Sequence, residues 1–175
     1  MLSARETALK ALISFRREGA WPDLYLKKAC EGMNREESAL CANLTYGVLQ
    51  NRAYLDFLIG SFSARPVNKL TPQVLDALRL GAYQLVFLTK IPHSAAVNET
   101  VELVKKHGNP GAVGYANGVL RALQRRLDDL PQVPRDNDLD YLSIRYSHPK
   151  WFVGKMNKRL GFDGCEALLQ ADNTP

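Results

Sequence analysis

Apolar residues along this chain recur at intervals of three and four, the period of helices that bury one face, and one stretch is apolar nearly all round. From Val74 to Leu88, 11 of 15 residues are apolar, the exceptions being Asp76, Arg79, Gly81 and Gln84. A helix so apolar has to be covered on almost every side. Thr71 followed by Pro72 supplies an N-cap residue and a proline at the first helical position, which marks its start, and Pro92 prevents continuation beyond about Thr89. At about 100° per residue Asp76, Arg79, Tyr83 and Gln84 form one narrow strip, the expected solvent window, and Gly81 falls on the opposite, buried side.

Other helices flank this one. Ser3-Ala4-Arg5-Glu6 reads as a capping box, the Ser hydroxyl taking an amide while Glu6 reaches back, and opens a helix over Ala4 to Glu18 with Ala8, Leu9, Leu12 and Ile13 inward. Gly19-Ala20-Trp21-Pro22-Asp23 breaks it, and a short second helix closes near Gly32. Asn34 caps the next, with Glu37 at its capping-box position, and Leu40, Leu44, Val48, Asn51, Leu55, Leu58 and Phe62 predict one long helix from Arg35 to Ser61. Gly47 on that face is unfavourable in a helix interior and predicts close approach by a neighbour. Beyond the central helix, Ser94 is the expected cap of a helix closed by Gly108, with Val97, Val101 and Val104 inward. Val113, Ala116, Leu120, Leu123 and Leu127 define one more. Asn98 and Asn117 border these two apolar faces and are expected to bond between helices or to a loop.

Residues 129–140 read as a linker, with two prolines, an acidic balance and no helical period. Leu139, Leu142, Ile144 and Tyr146 begin a short helix; Pro149 starts another in which Trp151, Phe152, Met156 and Leu160 form a stripe beside Lys150, Lys155, Lys158 and Arg159. Gly161-Phe162-Asp163-Gly164 is a helix boundary before a final segment to Ala171. No stretch alternates as a strand would. The expectation is an all-α chain: a bundle of about six to seven helices over 1–128, the linker, and a small helical extension over 141–175.

With 175 residues and 46% hydrophobic content the chain can bury a sizeable core. No run approaches the roughly 18 apolar residues of a membrane span, and no signal-peptide core opens the chain, so the expected location is cytoplasmic. Cys30, Cys41 and Cys165 are odd in number and form no C-x-x-C pair, which argues against a disulfide framework or zinc site. Net charge is +5, unevenly spread. Residues 1–127 carry 17 basic against 10 acidic residues, 128–140 are acidic, and 141–160 carry five basic residues and no acid. Such segments fit a polyanion such as RNA, and equally a solvated surface.

His93, His107 and His148 are scattered without a second ligand at metal spacing. No phosphate-binding glycine loop follows a strand, and no nucleophile–base constellation can be drawn from spacing. No catalytic, cofactor or metal residue is nominated. Arg5, Lys10, Arg16 and Arg17 give the first helix a basic face, suited to phosphate contact or simply to solvent. Arg121, Arg125 and Arg126 leave one end of the 113–127 helix, extending a basic surface or complementing its dipole.

LRLGAYQL (78–85), IPHSAAVNETVELVKKHG (91–108) and YANGVLR (115–121) resemble the NusB family, an all-helical RNA-binding fold of transcription antitermination. Arg5-Glu6 with Ala8, Ala11 and Leu12 is similar to the start of that family's first helix. RYSHPKWFV (145–153) and QADNTP (170–175) are similar to the amino-terminal extension of bacterial ribosomal RNA 5-methylcytosine methyltransferases, in which a NusB-like domain precedes the catalytic one. That resemblance implies ribosomal RNA and a downstream methyltransferase domain as partners, and S-adenosylmethionine as cofactor of the longer protein. The Pro-Cys and Thr-Cys motifs of those enzymes do not occur here, so no catalytic residue is carried over. Only Arg5 matches the RNA-contacting arginine region of the family's first helix; Lys10, Arg121, Arg125 and Arg126 are nominated from charge geometry. An antitermination factor acting with a small ribosomal protein, and a scaffold packing on its own catalytic domain, are the alternatives.

Overall fold

The computed structural model describes residues 2–19 and 21–174; Ala20, within the expected break at 19–23, and both chain ends lie outside the described residues. Among those described, nine α-helices and two 3-10 turns (Val67–Lys69 and Pro110–Ala112) occur and no strand. The helices are α1 Ala4–Glu18, α2 Pro22–Ala29, α3 Arg35–Gln50, α4 Arg52–Ser61, α5 Pro72–Phe87, α6 His93–His107, α7 Val113–Arg125, α8 Asp138–Arg145 and α9 Lys150–Asn173. None is long and apolar enough to cross a membrane.

Helix α5 is the axis. It packs against α1, α3, α4, α6 and α7, as its all-round apolar sequence requires. The expected solvent window on it does not exist: Asp76 is 3% exposed, Tyr83 7% and Gln84 0%. Each polar group there has found a partner on a neighbouring helix. Asp76 takes Arg16 of α1 at 2.8 Å and Arg79 at 3.0 Å, and Arg79 forks onto Asp56 of α4 at 2.7 and 2.8 Å. The Tyr83 hydroxyl donates to Asn43 of α3 at 2.6 Å, and Arg5 of α1 donates to Gln84 at 2.7 Å. Burial pushes the Asp76 carboxyl above its ordinary value against the pull of the two arginines.

Two glycines allow the helices to close. A Cβ on Gly81 would lie 2.8 Å from the Thr100 hydroxyl of α6 and 3.0 Å from a Leu120 methyl of α7. One on Gly47 would fall inside the Tyr83 ring, which is pinned by Asn43 and stacked on Phe87. The close approach expected at Gly47 is thus an aromatic ring seated on bare backbone.

The expected single helix from Arg35 to Ser61 is broken at Asn51, whose φ of −114° and ψ of 18° leave the helical region. Its side-chain amide donates to the Gly47 carbonyl at 2.9 Å, and its own N–H shares that acceptor at 3.1 Å, which satisfies the end of α3. The break lets α4 serve two cores: Leu55 and Ile59 join the main one, and Tyr54 and Leu58 join a second. That second core holds Tyr141, Leu142, Tyr146, Val153, Cys165 and Leu169, together with Val133. The stretch read as a featureless linker therefore anchors itself through Val133. Gly161, at φ 71°, divides α9 where the boundary was expected.

Helix starts differ in two ways from expectation. α6 begins at His93 with Pro92 as its cap residue, two positions before the serine expected to cap it, because the Pro92 carbonyl already accepts the Ala96 N–H at 3.0 Å. Ser3 and Asn34 accept the Glu6 and Glu37 amides as expected, but neither glutamate reaches back. Glu37 takes the Ala4 N–H at 3.1 Å, and Glu6 binds Lys106 at 2.8 Å and His107 at 2.6 Å. Both carboxylates tie α1 to other helices. The Lys106 bond holds the Glu6 carboxyl below its ordinary value, outweighing burial, and the His107 bond adds to it.

Two outcomes are expected. Gly47→Ala destabilises by about 1–3 kcal/mol through overpacking, whereas Gly118→Ala, with open space around it, stabilises by about 0.5–1 kcal/mol through helix propensity; urea melts of the two variants check the opposite signs. A carboxyl lowered in the folded state contributes stability above its unfolded value of about 4.3 and loses it as pH falls through the lower folded value. Glu6→Gln is accordingly less stable than the parent at about pH 7, and the gap narrows as pH falls through the lowered folded value; a gap unchanged on acidification, measured by the same melts, contradicts the assignment.

Candidate nucleic-acid interface

Candidate RNA contacts lie on α1 and α7, and what separates them is whether a carboxylate already holds each charge. Arg5 is half-buried on the first turn of α1; its Nε is bound to the neutral Gln84, and no acid pairs with it among the described residues. Lys10, on the same helix, is half-buried and in no ion pair. Further along, Arg16 is committed to Asp76 while Arg17 is exposed.

On α7 the polar side follows from its strong segregation of apolar residues: Ala116, Val119, Leu120 and Leu123 are buried, which leaves Arg121 and Arg125, one turn apart, on the outside. Arg121 makes a long 3.4 Å bond to Asn98 of α6, the inter-helix contact expected of that amide; Asn117 makes no side-chain hydrogen bond among the described residues. Arg125 is exposed and has no acidic partner among them. Arg126, the C-cap, turns back on the chain, donating to the Asp129 carbonyl at 2.9 Å and lying 3.4 Å from its carboxylate. Two of the three arginines therefore present uncompensated charge. Arg5 reaches α5 and Arg121 reaches α6, and no hydrogen bond joins the α1 pair to the α7 trio.

Cations outside the nominated set complete the picture. Arg145 lies over the rings of Tyr54 and Tyr146, 4.7 and 5.2 Å from their centroids, and Arg65 lies over Tyr115 at 5.7 Å. Lys155, Lys158 and Arg159 are exposed on α9 beside an exposed Trp151. The acid-free charge count of 141–160 was the signal that pointed to them; their shared face becomes visible only with the helix in place.

For chemistry the arrangement offers little. No three His, Cys, Asp or Glu side chains converge as metal ligands among the described residues. Burial, with Cys30 adding, pushes the Cys41 thiol up to about 12, and burial also raises Cys165, so both are protonated at neutral pH. What the surface can do is hold anions.

The sequence and the helical fold have counterparts among known proteins. The chain is 35% identical over 176 aligned residues to the probable ribosomal RNA small subunit methyltransferase B of Bacillus subtilis, covering 99% of this chain and 39% of that protein. A chain of the crystal structure of antitermination factors NusB and NusE in complex with double-stranded RNA superposes with a TM-score of 0.62 and 27% identity, over 70% of this chain and 93% of that one. The crystal structure of PH0851 shares the fold over 97% of this chain, with a TM-score of 0.68 at 17% identity. Residues 2–125, which span α1 to α7, match the NusB family model, and the chain belongs to the NusB family.

Proposed function

We propose that this chain is the RNA-gripping region of a ribosomal RNA small-subunit methyltransferase acting at cytosine C5, and that it holds its substrate by the phosphates. The observation that carries this reading is the continuation of likeness to the Bacillus subtilis methyltransferase through residues 126–175, past the end of the family match. Those residues share a core with α4, so α8 and α9 are seated on the bundle and hold a defined position beside it. Because the chain spans 39% of that relative, methyl transfer, S-adenosylmethionine and a catalytic domain are attributed to a longer protein. No chemical step is assigned to the described helices.

In this reading Arg5, Lys10, Arg121 and Arg125 release counterions as they neutralise phosphates, and Arg126 contributes once it leaves Asp129. Such contacts position an RNA without reading its bases. They raise affinity and orient ribosomal RNA for the catalytic module. A second reading, an antitermination factor that binds RNA with a small ribosomal protein, is favoured by the 93% coverage of the solved chain. It leaves α8 and α9 without a role.

A titration with a labelled small-subunit ribosomal RNA fragment tests the grip. Binding with a dissociation constant on the order of 10⁻⁴ to 10⁻⁶ M is expected, weakening about tenfold or more between about 50 and 200 mM salt. Arg5→Ala combined with Arg125→Ala flattens the salt slope by about 1 to 2. Absence of binding at low salt, or an unchanged slope in the double variant, refutes the proposal and leaves a scaffold.

A further inference from the structure

The first half of α9 has an outer face of unusual composition. Its inward side is spent on the second core, where Val153 is fully buried and Phe152 and Met156 pack against it. Outward stand Trp151, 72% exposed, and the exposed Lys155, Lys158 and Arg159. At about 100° per residue Trp151, Lys155 and Lys158 fall within about 60° of one another, with Arg159 about 40° further round. From Trp151 to Lys158 the stripe runs about 11 Å along the helix. None of these three cations pairs with an acid among the described residues, and positions 150–160 contain no Asp or Glu. Lys150, by contrast, is held by Asp140 at 2.7 Å.

Leaving an indole in water is costly, since full burial of a large apolar side chain is worth on the order of 2–3 kcal/mol. Trp151 does not float freely: its ring sits edge-on to Phe152, centroids 5.9 Å apart, and Phe152 stacks on His148 at 5.8 Å. The indole is thus in contact with Phe152 while most of its surface remains open to solvent. An exposed aromatic among unpaired cations is the composition that binds single-stranded nucleic acid, each base stacking on the ring while the cations follow the backbone. Protein interfaces also favour tryptophan and arginine but are depleted of lysine, and two of the three cations beside Trp151 are lysines. An interfacial membrane helix would need a broad apolar face to insert, and here that face is already inside the second core.

We propose that the outer face of α9 carrying Trp151, Lys155, Lys158 and Arg159 is a binding site for single-stranded RNA, with an unpaired base stacked on Trp151 and neighbouring phosphates on the three cations. This rests on the RNA reading above but places a second contact outside the residues that match the NusB family. The α1 and α7 cations grip backbone of any form; the α9 face requires a strand whose bases are free.

The chain has two tryptophans, so Trp21→Phe leaves Trp151 as the only indole, which is excited selectively at the red edge where the tyrosines do not absorb. Titrating that variant with oligouridylate, with a duplex RNA of equal length and with polyphosphate separates stacking from charge. Saturable quenching by oligouridylate, with little from duplex or polyphosphate, is the expected result. Trp151→Ala weakens oligouridylate binding about 5- to 150-fold. Lys155→Gln, Lys158→Gln and Arg159→Gln together lower its salt slope by about 2. All four side chains are exposed, and unchanged far-UV circular dichroism verifies that the variants fold. If RNA still binds in a manner sensitive to Arg5 and Arg125 while Trp151 is not quenched and the α9 variants are unaffected, this proposal is overturned and the phosphate grip survives. Equal quenching by polyphosphate, or by anionic vesicles, also overturns it. If no RNA binds at low salt, both fall.

Discussion

The burial of α5 on every side governs the rest of the structure. A buried polar group without a partner costs about 1–3 kcal/mol, and α5 carries four such residues on one strip, two of them charged. Surrounding helices therefore have to present complementary groups at fixed heights: Arg5 and Arg16 from α1, Asn43 from α3, Asp56 from α4. Breaking one member of such a network is expensive, because it strands its partner, so the contacts act as locators even where their net contribution to stability is small. α1 is located near both ends, by Gln84 and by Asp76, and its basic side is thereby set with respect to the bundle. On the opposite side of α5 the device is steric, Gly81 admitting Thr100 and Leu120.

This division explains what could be read from the chain and what could not. Helices and their inward faces follow from local periodicity, and Gly47 announced close approach because a glycine is unfavourable inside a helix unless a neighbour uses the space, whereas Gly81 was legible only as a buried position. The polar strip of α5 reads locally as a solvent face. Its true state depends on partners 23 to 79 residues away, which no periodicity encodes. Glu6 and Glu37 carry the same ambiguity: their spacing from Ser3 and Asn34 suits a reciprocal cap, yet tertiary partners capture both carboxylates. At Asn51 the apolar repeat ran straight through a residue whose side chain competes for the backbone, and the hydrophobic signal concealed the bend. For the candidate interface, the basic segments were legible as counts, whereas the carboxylates that cancel Arg16, Lys106 and Lys150 were not.

That bend has a structural consequence for any RNA surface. Because α4 turns at Asn51, one helix contributes Leu55 and Ile59 to the main core and Tyr54 and Leu58 to the second. The Tyr54 amide also donates to the Ser147 hydroxyl at 3.1 Å, and Arg145 lies over the Tyr54 ring. Residues following the bundle are thus tied to it by a shared helix, an amide bond and a cation on an aromatic face. The orientation of α9 is inherited from α4.

Ion pairing then decides which cations are thermodynamically useful to a polyanion. A lysine or arginine already neutralised by a carboxylate has to break that pair before it displaces a counterion from RNA, so its net contribution shrinks by the pairing it gives up. Arg79 is buried between two aspartates and contributes to the fold alone, and Arg16, Lys106, Arg126 and Lys150 are compensated to differing degrees. Arg125, Lys155, Lys158 and Arg159 carry no such commitment among the described residues. Net charge alone would rank all of these equally. Among the residues just named, the uncommitted charge lies at the end of α7 and along the outer face of α9, and of these two only the second sets an exposed aromatic ring among its cations, which is why the two surfaces are suited to different features of the same kind of molecule.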